Sequence, residues 1–414
     1  MVRSVSALVL LLALPACAPA PDSEEGVIQE AWALERDPVL RPTHVDPALP
    51  GTFADGIAPW ADALVASERR CGSFGKALLA ALEHHQPLPA EWVAEVDGSA
   101  AMLDGALAAT YRAGASLPPG LRMQAVFLTT HPSTIEFRYL GRLAIAGARL
   151  ASDRGDHALA LRRCADALAL SRDMSWGALV FARAGSMAGH TLQVCYELAL
   201  RAPVGPRRDF LKAVDHIRAG WAPSSSVIRQ ERLFTQLLSA SSFSAAHLAA
   251  FPPALAPVLE MPEAVPMNPL RAWPFRGAAR RAIHARMTRL MNAADLPPDD
   301  ADRVFAEVEA DSPLWLTLAG LGDAPPLWLR FGRELRRPRA QLALLHAALA
   351  ADLYRADHGA LPKTWADVFP TGAPADPRTG RTLALDLRAD APAVRAEGDP
   401  AREAEPLSFS LAPP

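Results

Sequence analysis

Apolar positions recur at helical spacing from about Ile57 to Leu321 of this 414-residue chain, and Pro and Gly punctuate the run. The spacing predicts helices over 57–70, 74–86, 90–96, 99–114 and 120–128. Longer helices follow over 136–153, 156–172 and 176–201, and further ones over 206–219, 224–239, 277–292 and 299–310. The Pro-rich stretch 248–275 reads as an ordered loop wrapping this body. Between Tyr139 and Met174, Gly155-Asp156 divides two apolar-periodic runs. The second run sets Ala160, Cys164 and Ala167 at helical spacing, with Leu161 and Leu168 seven apart. Small residues at such places let two helices approach closely, so the segment predicts a helical hairpin.

The pattern changes near the carboxyl end. Leu342, Leu345, Leu349 and Leu353 stripe a helix over 339–357, which Gly359 stops. A short helix over 364–369 follows. Asp376-Pro377-Arg378-Thr379-Gly380 then reads as a turn, and 382–387, 394–396 and 407–411 as short strands. The expected fold class is mainly α: a helical-hairpin body over 51–325 with a small α+β module over 326–414. That module combines a long helix with short antiparallel strands.

The first residues follow another rule. A short apolar run, Val5 to Leu14, follows Arg3 and ends in Leu14-Pro15-Ala16-Cys17. It is about half the ~20 residues of a spanning helix, so residues 1–16 read as an export signal. Residues 17–50 are rich in Pro, Asp and Glu with weak periodicity, and read as a flexible tether. Among later segments, Leu314 to Leu329 comes closest to a membrane span, but Asp323 and Pro325-Pro326 break it. Half of the residues are apolar, enough for a sizeable core. The net charge of −3 argues against a nucleic-acid partner, which calls for a strongly basic domain.

An exported chain meets an oxidising compartment, so one disulfide and one free thiol are expected among Cys71, Cys164 and Cys195. Cys164 and Cys195 fall about 11 and about 20 residues from a turn near residue 175. In a simple antiparallel hairpin they would be offset by more than about 10 Å, too far for a bridge. A partner for Cys71 is therefore expected, with three small buried thiols as the alternative.

Candidate chemistry is sparse. Ser73-Phe74-Gly75-Lys76 matches the pattern in which a lysine one turn away activates a serine. The companion motifs are missing, since Lys363-Thr364 is followed by Trp365. His84-His85 point in different directions on a helix and suit a carboxyl-terminal position better than a metal. Glu231, between Arg229 and Arg232, reads as a surface ion pair, because glycan cleavage needs a second carboxylate. Six arginines between Arg271 and Arg289 could face anionic lipid or a cell-wall polymer. The reading preferred here packs that helix into the core, with its arginines on the acidic segment Asp295 to Asp311. No metal or other cofactor is expected.

Three resemblances add to this. A small residue followed at once by Cys17 resembles the lipobox of bacterial lipoproteins. The resemblance implies cleavage before Cys17, lipidation of Cys17, and a chain facing the periplasm from the membrane. Ala18 rather than Asp after Cys17 leans towards the outer membrane. The hairpin, with Ala148, Ala160 and Ala167 at small positions, resembles one tetratricopeptide unit, although no 34-residue period recurs. The long helix, then Tyr354, Asp357, Gly359 and Pro362, then the Asp-Pro turn and strands, resembles the globular end of type II secretion pseudopilins. The same ending is similar to that of uncharacterised bacterial envelope proteins with long helical bodies. The pilin processing site and the hydrophobic amino-terminal helix are absent, and the acidic calcium loop is reduced to Gly398-Asp399. Pilin-like polymerisation and calcium are therefore not implied. Together these imply a lipid-anchored envelope protein, foremost a non-enzymatic interaction or scaffold protein with an envelope protein partner. An accessory of a secretion or pilus system, or a periplasmic hydrolase using Ser73 and Lys76, are the alternatives.

Overall fold

The computed structural model describes residues 23–36, 49–51, 53–112, 132–173, 178–237, 245–251, 276–311, 328–388, 392–399 and 406–411. The chain is mainly helical, with one small sheet near its carboxyl end. The first helices are α1 (Glu24–Arg36), α2 (Phe53–Ile57), α3 (Ala61–Cys71), α4 (Gly75–Glu83), α5 (Ala90–Gly98) and α6 (Ala100–Leu107). Next come α7 (Pro132–Asp153), α8 (His157–Asp173), α9 (Ala178–Arg201), α10 (Val204–Ala219) and α11 (Ser224–Leu237). The last are α12 (Ala245–Ala249), α13 (Arg276–Ala293), α14 (Pro298–Ala310) and α15 (Trp328–His358). Strands β1 (Ala384–Asp386), β2 (Ala393–Ala396) and β3 (Leu407–Ser410) form an antiparallel sheet in that order. Its register sets Leu385 opposite Val394 and Val394 opposite Phe409. The helix expected over 120–128 and most of the Pro-rich stretch lie outside the described residues. Among the described residues, no helix is long and apolar enough to cross a membrane.

The predicted hairpin is α7–α8. Gly155 takes a positive φ of 83°, a conformation open to a residue without Cβ. Asp156 Oδ1 then accepts the Leu159 N–H at 3.0 Å and starts the second helix. Ala148, Ala160 and Ala167 are all buried, as small residues at a close helix contact should be.

The structure corrects the cysteine expectation. Cys164 of α8 and Cys195 of α9 form the disulfide, with Cα atoms 5.6 Å apart, and Cys71 is a buried free thiol. The expectation assumed two helices leaving a common turn. The chain between Asp173 and Ala178 can reach about 3.3–3.6 Å per residue. That is enough to absorb an axial offset of about 12 Å between the helices.

The tether reading is corrected over α1. Val27, Ile28, Ala31 and Leu34 are buried, an apolar set at helical spacing hidden among Glu24, Glu25, Glu30 and Arg36. Glu30 Oε1 accepts Arg229 Nε–H at 2.7 Å and Arg232 Nη2–H at 2.9 Å, both from α11. Trp32 Nε1–H donates to the Ala250 carbonyl at 2.9 Å.

Helix α15 begins at Trp328, well before the expected start at 339, and runs through Pro338. A proline inside a helix costs about 3 kcal/mol. Tertiary contacts of the preceding turns offset this. Leu335 is buried, and Arg333 Nε and Arg336 Nη1 donate to Asp302 of α14 at 3.0 and 2.8 Å. Gly332 lies so close to Phe305 that a Cβ there would sit 2.7 Å from the ring.

Two apolar cores stand out among the described residues. One gathers Val227, Ile228, Met287, Leu290, Phe305, Val308 and Leu335 from α11, α13, α14 and the first half of α15. The larger joins Leu143 and Leu168 of the hairpin to Leu345, Leu349, Val394 and Phe409. Among the described residues, both cores therefore draw on α15 and on helices that precede it. Tyr196 of α9 packs on Phe409 at 4.6 Å, and its hydroxyl donates to the Ser410 carbonyl at 2.7 Å, which holds the sheet to the helices.

Candidate functional site

Cys17 lies outside the described residues. Ser73 sits in the one-turn 3-10 helix Gly72–Phe74, and Lys76 in the first turn of α4. Both are exposed, and no hydrogen bond joins them. A serine nucleophile needs its base within hydrogen-bond reach, and the helix start alone does not supply that. His84 and His85 follow the end of α4, and His85 Nδ1 lies 3.2 Å from Glu197. The arginines flanking Glu231 serve Glu30 of α1. In the basic stretch, Arg289 faces Glu307 and Asp311, both at 3.4 Å, and Arg286 Nη2–H donates to the Val308 carbonyl at 2.7 Å. These two arginines meet the acidic segment as the packed reading expects. Arg271 lies outside the described residues.

The fold also gathers ionisable groups that no sequence spacing announces. Glu95 accepts Arg70 Nε–H at 2.8 Å, Ser67 Oγ–H at 2.6 Å and Ser99 Oγ–H at 2.6 Å. The Arg70 hydrogen bonds, then those from Ser67 and Ser99, outweigh burial and hold its carboxyl down at about 2. Tyr111 donates to Asp166, whose carboxyl burial nevertheless raises to about 6. Asp173, buried beside Arg172, is raised by burial to about 7. Asp352 accepts a hydrogen bond from Arg207 across the α10–α15 contact and another from Arg355 within α15. These are internal ties of the helices, and each side chain is committed to a partner.

Among the described residues, a cleft of about 410 Å³ opens where the helical body meets the carboxyl-terminal module. Its charged and aromatic wall is Arg218 and Trp221 after the last turns of α10, Asp295 after α13, Arg336 and Arg339 on α15, and Pro377. Pro377 comes from the Asp-Pro turn singled out in the sequence. That turn is held by Asp376, whose carboxylate accepts the Arg378 N–H at 2.9 Å and the Arg378 guanidinium. Arg218 Nη2 lies 2.8 Å from Asp215, and Arg336 Nη1 2.8 Å from Asp302. Arg339 is the least engaged cation, with Nη1 3.7 Å from Asp295. Asp295 is itself occupied in capping α11, accepting the Ser224 and Ser225 N–H groups at 2.9 and 3.2 Å. Arg336 Nη2 and Trp221 Nε1 are buried N–H donors with no acceptor.

The chain matches no known protein family, no curated protein and no solved structure. The functional reading therefore rests on the residues themselves. Three arginines line the cleft, and Arg339 is paired only at 3.7 Å with a carboxylate already engaged elsewhere, so the cleft is suited to holding a ligand. Sequence spacing could not have found it. Arg218 with Trp221, Asp295, Arg336 and Pro377 come from four separate parts of the chain, and only Asp295 and Pro377 lay in stretches singled out for their chemistry or turn.

Proposed function

We propose that the protein is a lipid-anchored interaction or scaffold protein of a bacterial envelope, held by Cys17 and facing the periplasm, with the outer membrane as its seat. The observation that carries this reading is the Cys164–Cys195 disulfide. Such bonds persist in oxidising compartments, so the bond supports the export signal over 1–16 independently of it. Helix α1 adds a second support. Ser23, the first described residue, is six positions after Cys17, a reach of at most about 20 Å. An anchor at Cys17 would keep the helical body close to the membrane face, where an envelope protein partner is met.

The test is fractionation of the full-length chain beside its Cys17→Ser variant. The parent chain is expected in the membrane fraction after a high-salt wash and the variant in the soluble periplasmic fraction. A Cys17→Ser protein that stays on the membrane through that wash would overturn lipid anchoring. In vivo crosslinking of both forms then recovers the envelope partner with the anchored form alone.

An accessory role in a secretion or pilus system is the second reading. The observation favouring it is the long helix α15 with the three-stranded antiparallel sheet packed on it through Val394 and Phe409. Crosslinking that recovers a component of such a system would favour it over a general scaffold.

A further inference from the structure

We propose that the cleft between α10, α15 and the Asp-Pro turn binds a small organic oxyanion, a carboxylate or phosphate monoester carrying an apolar body. Four observations converge on it. Arg218, Arg336 and Arg339 bring three guanidinium groups to one wall, and the planar guanidinium fork matches carboxylate and phosphate oxygens. The one acidic residue on that wall, Asp295, has its oxygens engaged by the N–H groups at the start of α11 and reaches Arg339 only at 3.7 Å, which leaves Arg339 weakly paired. Buried polar groups in folded proteins nearly always have partners. Here the Nη2 of Arg336 and the Nε1 of Trp221 do not, and both residues line the same cleft. Arg336 and Trp221 are 5% and 4% exposed, so bulk water does not supply the missing acceptors.

The remaining wall decides what the anion is attached to. Trp221, Leu342, Ala343 and Pro377 offer an apolar surface beside the cations. Small-molecule sites usually enclose roughly 300–1,000 Å³, and this cleft is about 410 Å³. Both orphan donors are buried atoms of residues that line the cleft. A ligand oxygen reaches them after a side-chain adjustment of the kind that binding ordinarily brings. The chemistry is binding alone: no bond in the ligand is made or broken.

Titration calorimetry on the detergent-solubilised full-length chain at low salt tests this, with phenyl phosphate, benzoate, inorganic phosphate and phenol as probes. Phenyl phosphate or benzoate is expected to bind, and phenol, which lacks the charge, about tenfold or more weakly. A preference for phenyl phosphate assigns the ligand to the phosphate monoesters, and one for benzoate to the carboxylates. Inorganic phosphate is expected to bind more weakly than phenyl phosphate, since it leaves the Trp221 wall unused. Arg339→Ala and Trp221→Phe are each expected to weaken binding about fivefold or more. Arg339 makes only a long ion pair, and Trp221→Phe keeps a ring while removing the N–H, so both variants should retain the parent's thermal unfolding. Arg336→Met is a third variant, in which Arg333 still pairs with Asp302. No binding of either organic anion at about 10 mM, equal affinity for phenol, or parent-like affinity in correctly folded Arg339→Ala and Trp221→Phe would each overturn the site.

Discussion

Two carboxylates show how one residue type takes opposite roles. Glu95 is held at about 2 by hydrogen bonds from Arg70, with Ser67 and Ser99 adding, against an ordinary value of 4.5. A depressed carboxylate contributes stability that is present above its unfolded pKa and is lost as pH falls through the folded one. The unfolding midpoint should therefore drop between about pH 4.5 and pH 2, and Glu95→Gln should flatten that limb. Gln keeps the size but loses the charge-assisted bonds, at a cost of about 1–3 kcal/mol at neutral pH. Asp166 is the reverse case. Burial lifts it from 3.8 to about 6 although Tyr111 donates to it. Between those values the folded state holds a proton that the unfolded chain has released, so stability falls as pH rises through that window. Asp166→Asn keeps the acceptor for Tyr111 and removes the charge. Chemical denaturation should find it more stable than the parent at pH 8, with a smaller difference at pH 4. An equal or greater loss of stability at pH 8 than at pH 4 would contradict the assignment.

At the scale of elements, the disulfide staples the first hairpin to the next helix. It joins residues 31 apart in sequence. Closing a loop of that length in the unfolded chain stabilises by about 3–4 kcal/mol. The double variant Cys164→Ser, Cys195→Ser should lose about that amount in urea denaturation, and reducing the parent should lose a similar amount. A loss below about 1 kcal/mol would mean that packing of α8 on α9 holds the pair without the bond. Helix α15 makes the complementary point. Its second half has a strong apolar stripe and a glycine stop at Gly359 (φ 76°). Its first half is carried by Asp302, Phe305 and the smaller core.

Across the whole molecule, α15 unites what the sequence pattern divides. It enters both cores, carries the sheet, and places Arg336 and Arg339 beside the Asp-Pro turn. Helix α1 closes the other side through Glu30. Burial pushes the Glu30 carboxyl up, and Arg229 and Arg232 outweigh that and hold it below its ordinary value. Glu30→Ala removes the acceptor shared by both guanidiniums, at a cost of about 1–2 kcal/mol. The α1 amides should then exchange about tenfold faster, while those of the α7–α8 hairpin keep their protection. Unchanged exchange in α1 would mean that Val27, Ile28, Ala31 and Leu34 hold it unaided.

The helical class, the α7–α8 hairpin, the stop at Gly359 and the three short strands were legible in the sequence alone. Each is set by local periodicity and by a turn residue with a local mechanism. The apolar set of α1 was also present, but its charged neighbours and the nearby prolines concealed it. Tertiary structure alone decided the rest. The Cys164–Cys195 pairing depends on how far one helix slides along another, and the survival of Pro338 inside α15 depends on contacts with α14. The cleft depends on residues from four separate parts of the chain meeting in space. Periodicity reports which face of an element is apolar; it carries no information on which faces meet or at what offset.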